Sequence, residues 1–170
     1  MYLLDSNVFI EAHQRHYGFD FVPGFWDWLH LGHQQGKLAS IEKIREELEA
    51  GTSEDALKDW VRNRKGLFLP IDAAVQPSFQ LLSAWAMDPS HRYTPAARAT
   101  FMGGGDYQLI AYAHTHGHLV VTHEQSRPEA KRTIQIPDAC QALGVDCIDP
   151  FKMLRVEEAR FVLDQTTLAS

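Results

Sequence analysis

Four acids stand where the apolar pattern of the chain changes abruptly: Asp5, Glu47, Asp106 and Glu124. Asp5 follows at once on the short apolar run Tyr2-Leu3-Leu4, and Glu124 comes just after Leu119-Val120-Val121-Thr122 gives way to a charged stretch. Asp106 is followed by Leu109, Ile110 and Ala113, so it heads the buried face of a helix one turn before the core contacts begin. Glu47 is separated from its neighbours by helical phase. At about 100° per residue, Ile41, Ile44 and Leu48 form one stripe, Glu46 lies nearly opposite it, and Glu47 is roughly a quarter-turn from its centre. Glu42 and Glu49 are further round. Carboxylates brought together repel one another and hold protons. Hard cations relieve that repulsion, and oxygen-only ligands suit Mg²⁺ or Mn²⁺ rather than zinc. Such an ion activates water and stabilises charge on a phosphate, so the chemistry in view is metal-dependent phosphodiester hydrolysis. Each acid alone also suits a plainer role: Asp5 as a turn residue, Asp106 as a helix cap, Glu47 and Glu124 as surface charges. Their common placement is what favours a cluster.

That placement depends on the elements around the acids. Tyr2–Leu4 reads as a strand, Asn7 to about Tyr17 as a helix, and Pro23 opens another that ends near Gly36. Leu38-Ala39 is strand-like, with Ser40 placed to cap a helix from Ile41 to Ala50 that Gly51 closes. Ser53 caps a helix bearing Leu57, Trp60 and Val61, which Gly66 ends; Leu67–Leu69 is a buried strand and Ala73–Met87 a helix. Asp88–Tyr93 reads as a polar loop, and Gly103-Gly104-Gly105 as a flexible loop beside the acid cluster, before the helix Asp106–His116. Strand Leu119–Thr122, the charged loop His123–Gln135, a helix from Pro137 to Gly144 and strand Val145–Ile148 follow, with a helical tail over 156–170 that frays beyond about Leu163. Short apolar strands alternating with helices predict one α/β domain over 1–170, its central parallel sheet flanked by helices on both faces. In such a sheet ligands bind beyond the carboxyl ends of the strands, where Asp5 and Glu124 fall.

Composition narrows the classes further. The hydrophobic content of 45% over 170 residues supports a real core. No apolar run is long enough to cross a membrane, and the N-terminus lacks an export signal's pattern, so a cytoplasmic protein is expected. Cys140 and Cys147 lack metal-motif partners and read as reduced core residues. With 22 acids against 16 bases the net charge is −6, which argues against a plain cationic nucleic-acid binder. It does not argue against a nuclease whose bound cations invert the local sign. His114, His116 and His118 fan around a helix end rather than converge, and the triple glycine lacks the Lys-Ser/Thr pair of a phosphate loop. Phe25, Trp26 and Trp28 read as core, and Arg127, Lys131 and Arg132 either as a solvated loop or as phosphate-backbone contacts.

At these residues the chain resembles the PIN-domain nucleases. Tyr2-Leu3-Leu4-Asp5-Ser6-Asn7-Val8 looks like their first motif, Glu47-Leu48-Glu49-Ala50-Gly51 like the second, Asp106 with Leu109-Ile110-Ala111 like the third, and Val120-Val121-Thr122-His123-Glu124 like the fourth. The likeness covers most of the chain and is similar to a bacterial PIN-like branch close to toxins of the VapC type. It implies an Mg²⁺- or Mn²⁺-dependent endoribonuclease with Asp5, Glu47 and Asp106 around the ion and Glu124 as a fourth ligand or water-positioning group. Asn7 and Thr122 would support them, Asp138 would join the cluster or favour a helix start, and Arg127, Lys131 and Arg132 would contact substrate. It also implies RNA as substrate, a cognate antitoxin and a homodimer. In one departure, Gln125 and Ser126 follow Glu124 where many members carry a further acid, so a second metal position lacks that ligand. Two other readings compete: a haloacid-dehalogenase-type phosphohydrolase, whose usual second aspartate is here Asn7, and an inert PIN fold that only binds a partner.

Overall fold

The computed structural model describes residues 1–51 and 55–162. Its strands are short: β1 (Tyr2–Leu4), β2 (Leu38–Ile41), β3 (Phe68–Leu69), β4 (Leu119–Val121) and β5 (Cys147–Ile148). The helices are α1 (Ser6–Glu11), α2 (Pro23–Gln34), α3 (Glu42–Ala50), α4 (Asp55–Arg62), α5 (Gln76–Met87), α6 (Pro95–Gly103), α7 (Gly105–His116), α8 (Ile136–Leu143) and α9 (Pro150–Val156). Every strand pairing is parallel, in the order β3-β2-β1-β4-β5. Helices cover both faces, as the alternation of elements predicts, and the architecture is that of a PIN-like α/β domain. Parallel strands buried on both faces must be apolar throughout. Leu3, Leu4, Ile41, Val120 and Val121 are accordingly buried, packed with Leu109, Ile110 and Ala113 of α7.

The strand order carries the functional consequence. From β1 the chain winds outward through β2 to β3, then returns across the sheet to place β4 on the other side of β1. The crevice beyond the carboxyl ends of β1 and β4 is thus a topological switch point, the place where open α/β sheets bind ligands. Register brings Leu4 opposite Val121, and the Asp5 N–H donates to the Val121 carbonyl at 3.0 Å. Asp5 and Thr122 therefore leave the sheet side by side.

Several local expectations are corrected. The helix expected over Asn7–Tyr17 is α1 followed by a π-helical turn, Ala12–His16, in which the Tyr17 N–H reaches back to the Ala12 carbonyl. That wider turn lets Tyr17 stack on Phe25 with ring centroids 4.3 Å apart. Ser40 is no helix cap: it lies inside β2, buried, and its hydroxyl donates to the Leu4 carbonyl at 2.6 Å. The segment after the Asp88–Tyr93 loop contains a helix that sequence reading missed, α6, started by Thr94, whose hydroxyl accepts from the Ala97 N–H, and by Pro95. The glycine run is a helix junction rather than a flexible loop, with Gly103 closing α6 and Gly105 opening α7. The helical tail expected from 156 stops there, because Glu158 turns the chain with a positive φ of 51°. The Ser53 cap and the stretch 163–170 lie outside the described residues. Among the described residues no helix is long and apolar enough to cross a membrane.

Candidate active site

Asp5 is built into the end of β1 as the cap of α1, its Oδ1 accepting from the Ser6 N–H at 2.6 Å. Its other oxygen accepts the Thr122 hydroxyl at 2.9 Å. That hydroxyl has one proton to give and oxygen lone pairs to share. With the proton on Asp5, its oxygen accepts from the Asn7 side-chain amide at 3.0 Å and from the Glu124 N–H at 3.1 Å. Asn7 completes the brace by accepting the His123 N–H at 3.0 Å. Thr122 and Asn7 thus tie the ends of β1 and β4 together and fix the exit of the loop that carries Glu124.

Glu47 arrives from α3, on the side its helical phase indicates, while Glu46 is exposed beside Lys43. The Glu47 Oε1 accepts the Gly105 N–H at 2.7 Å, across the junction that opens α7. This contact needs glycine: a Cβ on Gly105 would lie 2.6 Å from Ile44 Cδ1 and 2.7 Å from Glu47 Oε2. Asp106 follows in the first turn of α7, and Glu124 Oε2 accepts the Ile136 N–H at 2.7 Å, at the start of α8. Asp5, Glu47, Asp106 and Glu124 all line one cleft of about 450 Å³, together with Asn7 and Arg132. The lining also includes Ala97, Thr100 and Phe101 of α6, which sequence reasoning missed, and Gly104 and Gly105 of the glycine run expected beside the site. The Thr-Pro start of α6 was the available signal. A hollow of similar size, about 440 Å³, lies between Tyr17, Phe151 and Phe161 and shares no residue with this cleft.

The cluster's electrostatics follow from burial first and from neighbouring charge second. Burial, opposed by the Thr122 hydrogen bond and aided by the charge of Glu124, pushes Asp5 up to about 6. Burial and then the charges of Asp5, Glu124 and Glu47 push Asp106 up to about 8. Burial also raises Glu124, partly offset by the Ile136 N–H, while Asp138 raises it and Arg127 lowers it.

The other candidates divide. Arg132 lines the cleft, and Arg127 stands close enough to influence Glu124. Lys131 instead staples its loop to the segment before α6: its Nζ donates to the His91 carbonyl at 3.1 Å and its own carbonyl accepts the Thr94 N–H. Asp138 is buried and is not part of the cleft wall; it accepts the Ser126 hydroxyl and, at 2.9 Å, the Arg127 N–H, fixing the loop after Glu124. His114 pairs with Ser78 and His116 with Asp72, near the opposite end of the sheet from Asp5.

Whether these residues suit a divalent cation turns on donor chemistry. Glu47 Oε2, Glu124 Oε1 and both Asp106 oxygens accept no hydrogen bond from a side chain among the described residues, and carboxylates whose pKa values rise through burial and one another's charge gain most from a hard cation. Among the described residues, no three acid, histidine or cysteine groups already stand close enough to form a ligand set. The Gly105 and Ile136 amides hold one oxygen each of Glu47 and Glu124. The donor types therefore fit Mg²⁺ or Mn²⁺, while the side chains sit in the positions their own hydrogen bonds dictate.

Comparison with known proteins agrees with the architecture. A chain in the crystal structure of FitAcB from Neisseria gonorrhoeae is similar over 89% of this chain and 99% of its own, with a TM-score of 0.50 and 19% identity. At that identity the likeness shows the fold. No curated protein sequence matches. Residues 2–161 match the family described as Domain of unknown function (DUF4411), and the chain belongs to that family.

Proposed function

We propose that the chain is an Mg²⁺- or Mn²⁺-dependent endoribonuclease, acting as the toxin of a toxin–antitoxin pair in the cytoplasm. One observation carries the reading: acids from four separate segments line a single cleft at the switch point of the sheet, where burial first and neighbouring charge second raise Asp5 to about 6 and Asp106 to about 8. Among the described residues no cationic side chain forms an ion pair with these acids, so a structural ion-pair network does not account for the arrangement. Asp5, Glu47 and Asp106 would hold the ion, with Glu124 as a fourth ligand or a positioner of the attacking water. When bound, the ion supplies neutralising charge and Lewis acidity toward water and phosphate. Thr122 and Asn7 orient Asp5 and the Glu124 backbone, and Arg132, which lines the cleft, would meet a phosphate oxygen of the strand.

The RNA substrate, the antitoxin and a homodimer rest on the resemblance of the four motifs to VapC-type PIN nucleases. The haloacid-dehalogenase alternative is disfavoured by Asn7, whose side chain is committed to Thr122 and His123. Purified protein incubated with a mixed RNA pool, with and without Mn²⁺, tests the reading. Metal-dependent cuts with mappable ends are expected. Intact RNA at every Mn²⁺ concentration, from a folded protein, would refute the nuclease and leave an inert PIN fold that binds a partner. A covalent phosphate trapped on Asp5 would favour the phosphohydrolase.

A further inference from the structure

Glu124 is a wall between two cavities. On one side is the acidic cleft; on the other is a pocket of about 310 Å³ beyond the ends of β4 and β5, which Thr122 also lines. The second pocket has a different chemistry. Pro137 and Ile148 give it apolar walls, while Gln125, Ser126, Asp149 and Lys152 give it polar groups, the Asp149 Oδ1 being taken by the Lys152 N–H at 2.9 Å. Ser126 spends its proton on buried Asp138, so its oxygen lone pairs are left as acceptors. The same Asp138 holds the Arg127 N–H, so the Gln125–Ser126 wall is fixed in place rather than ordered on binding. Lys152 forms no ion pair among the described residues. Apolar walls, hydrogen-bonding edges and a lysine that can reach past Glu124 and Asp149 to a phosphate match a base with its phosphate. The volume sits at the small end of the ~300–1,000 Å³ range of ligand pockets, enough for one unit and not for a longer stretch of strand.

We propose that this pocket takes one nucleoside unit of the substrate strand, beside the phosphate held in the acidic cleft. The assignment of that unit to a substrate strand rests on the nuclease reading; the pocket's affinity for a nucleotide does not. Cys147 lines the pocket, is partly exposed, and has its thiol pKa lowered by a hydrogen bond from Cys140, so it reports occupancy. Cys140 is fully buried and serves as a silent control.

The experiment measures iodoacetamide labelling of Cys147 by mass spectrometry in metal-free protein, with each of the four nucleoside 5′-monophosphates or inorganic phosphate present. At least one nucleotide is expected to slow labelling several-fold, with phosphate alone ineffective and Lys152→Gln weakening the protection. No protection by any nucleotide, or equal protection by phosphate, would overturn the pocket. In an active enzyme, mapped RNA ends are expected to show a base preference at one position beside the cut, flattened by Gln125→Ala. Cleavage without Cys147 protection defeats this inference and spares the nuclease reading. Protection without cleavage does the reverse.

Discussion

Asp5 and Asp106 hold protons in the folded chain that they would release when unfolded, since both lie well above the ordinary 3.8 of an aspartate. A raised carboxyl pKa stabilises the folded state fully below the unfolded value, and that stability is lost as pH rises through the folded value. Without metal, the melting temperature is therefore expected to fall from about pH 4 to about pH 8, the window set by 3.8, 6 and 8. The fall should be easily resolved, since each pKa unit carries ~1.4 kcal/mol and each kcal/mol moves the midpoint by ~2–4 °C. Asp106→Asn should flatten the profile, and Mn²⁺ should restore the wild type at the alkaline end. Equal slopes in variant and wild type would show that Asp106 is not held above the ordinary carboxylate range. Asp5→Asn should cut nuclease turnover at least ~100-fold with the circular dichroism spectrum unchanged, a larger effect than the ~10–100-fold of removing a supporting partner such as Thr122. Glu47→Gln should weaken Mn²⁺ binding and turnover comparably, while Glu46→Gln, exposed beside Lys43, should do little. The reverse ranking in a Mn²⁺ titration would place the wrong glutamate in the cleft.

Gly105 shows how an element junction sets the site. The first N–H of α7 fixes Glu47 of α3, and any side chain at 105 would intrude on that carboxylate and on Ile44. Gly105→Ala is expected to cost ~1–3 kcal/mol as an overpacking change and to weaken Mn²⁺ binding by displacing Glu47. Gly103→Ala, with nothing within 4 Å of the added Cβ, should stay within ~0.5 kcal/mol of wild type. Urea denaturation and Mn²⁺ titration of both variants check the contrast; similar behaviour would mean the junction is as loose as a glycine run suggests. Here the sequence was misread, because three consecutive glycines look like flexibility until the partner helix is known. What was legible were features written in local pattern: apolar strands ending in acids, the α7 stripe, and the phase that sets Glu47 apart from Glu46. What was not legible depended on long-range partners. Ser40 carries a capping residue's chemistry, and only the neighbouring Leu4 carbonyl reveals it as a strand residue. Asp138 reads as a helix-start acid, and only the folded loop shows it gripping Ser126 and Arg127. The start of α6 was legible in Thr94-Pro95 and was overlooked beside the polar loop before it.

At the scale of the whole molecule, the proposed nuclease, of net charge −6, would have to meet a polyanion through a cleft that is itself acidic. Divalent cations answer that for a nucleic acid, and a partner protein can answer it differently, by placing a basic side chain among the same carboxylates. Arginine suits this task, because its planar fork pairs with a carboxylate through two hydrogen bonds and stays charged even beside groups that shed their own charge. The proposed antitoxin is therefore expected to occupy the cleft lined by Asp5, Asp106 and Glu124, and to compete with Mn²⁺ for it. An unrestrained ribonuclease would harm the cell that makes it, so expression of the chain alone should arrest growth, and Asp5→Asn should abolish the arrest. Co-expression of a small protein encoded beside it should reverse the arrest, and its addition in solution should lower the apparent Mn²⁺ affinity. Substituting the partner's inserted arginine should relieve both effects. If the purified enzyme cuts RNA and yet its expression is harmless, the toxin reading fails and RNA processing becomes the better account. If a partner protects cells without altering Mn²⁺ binding, it restrains the enzyme from elsewhere on the surface.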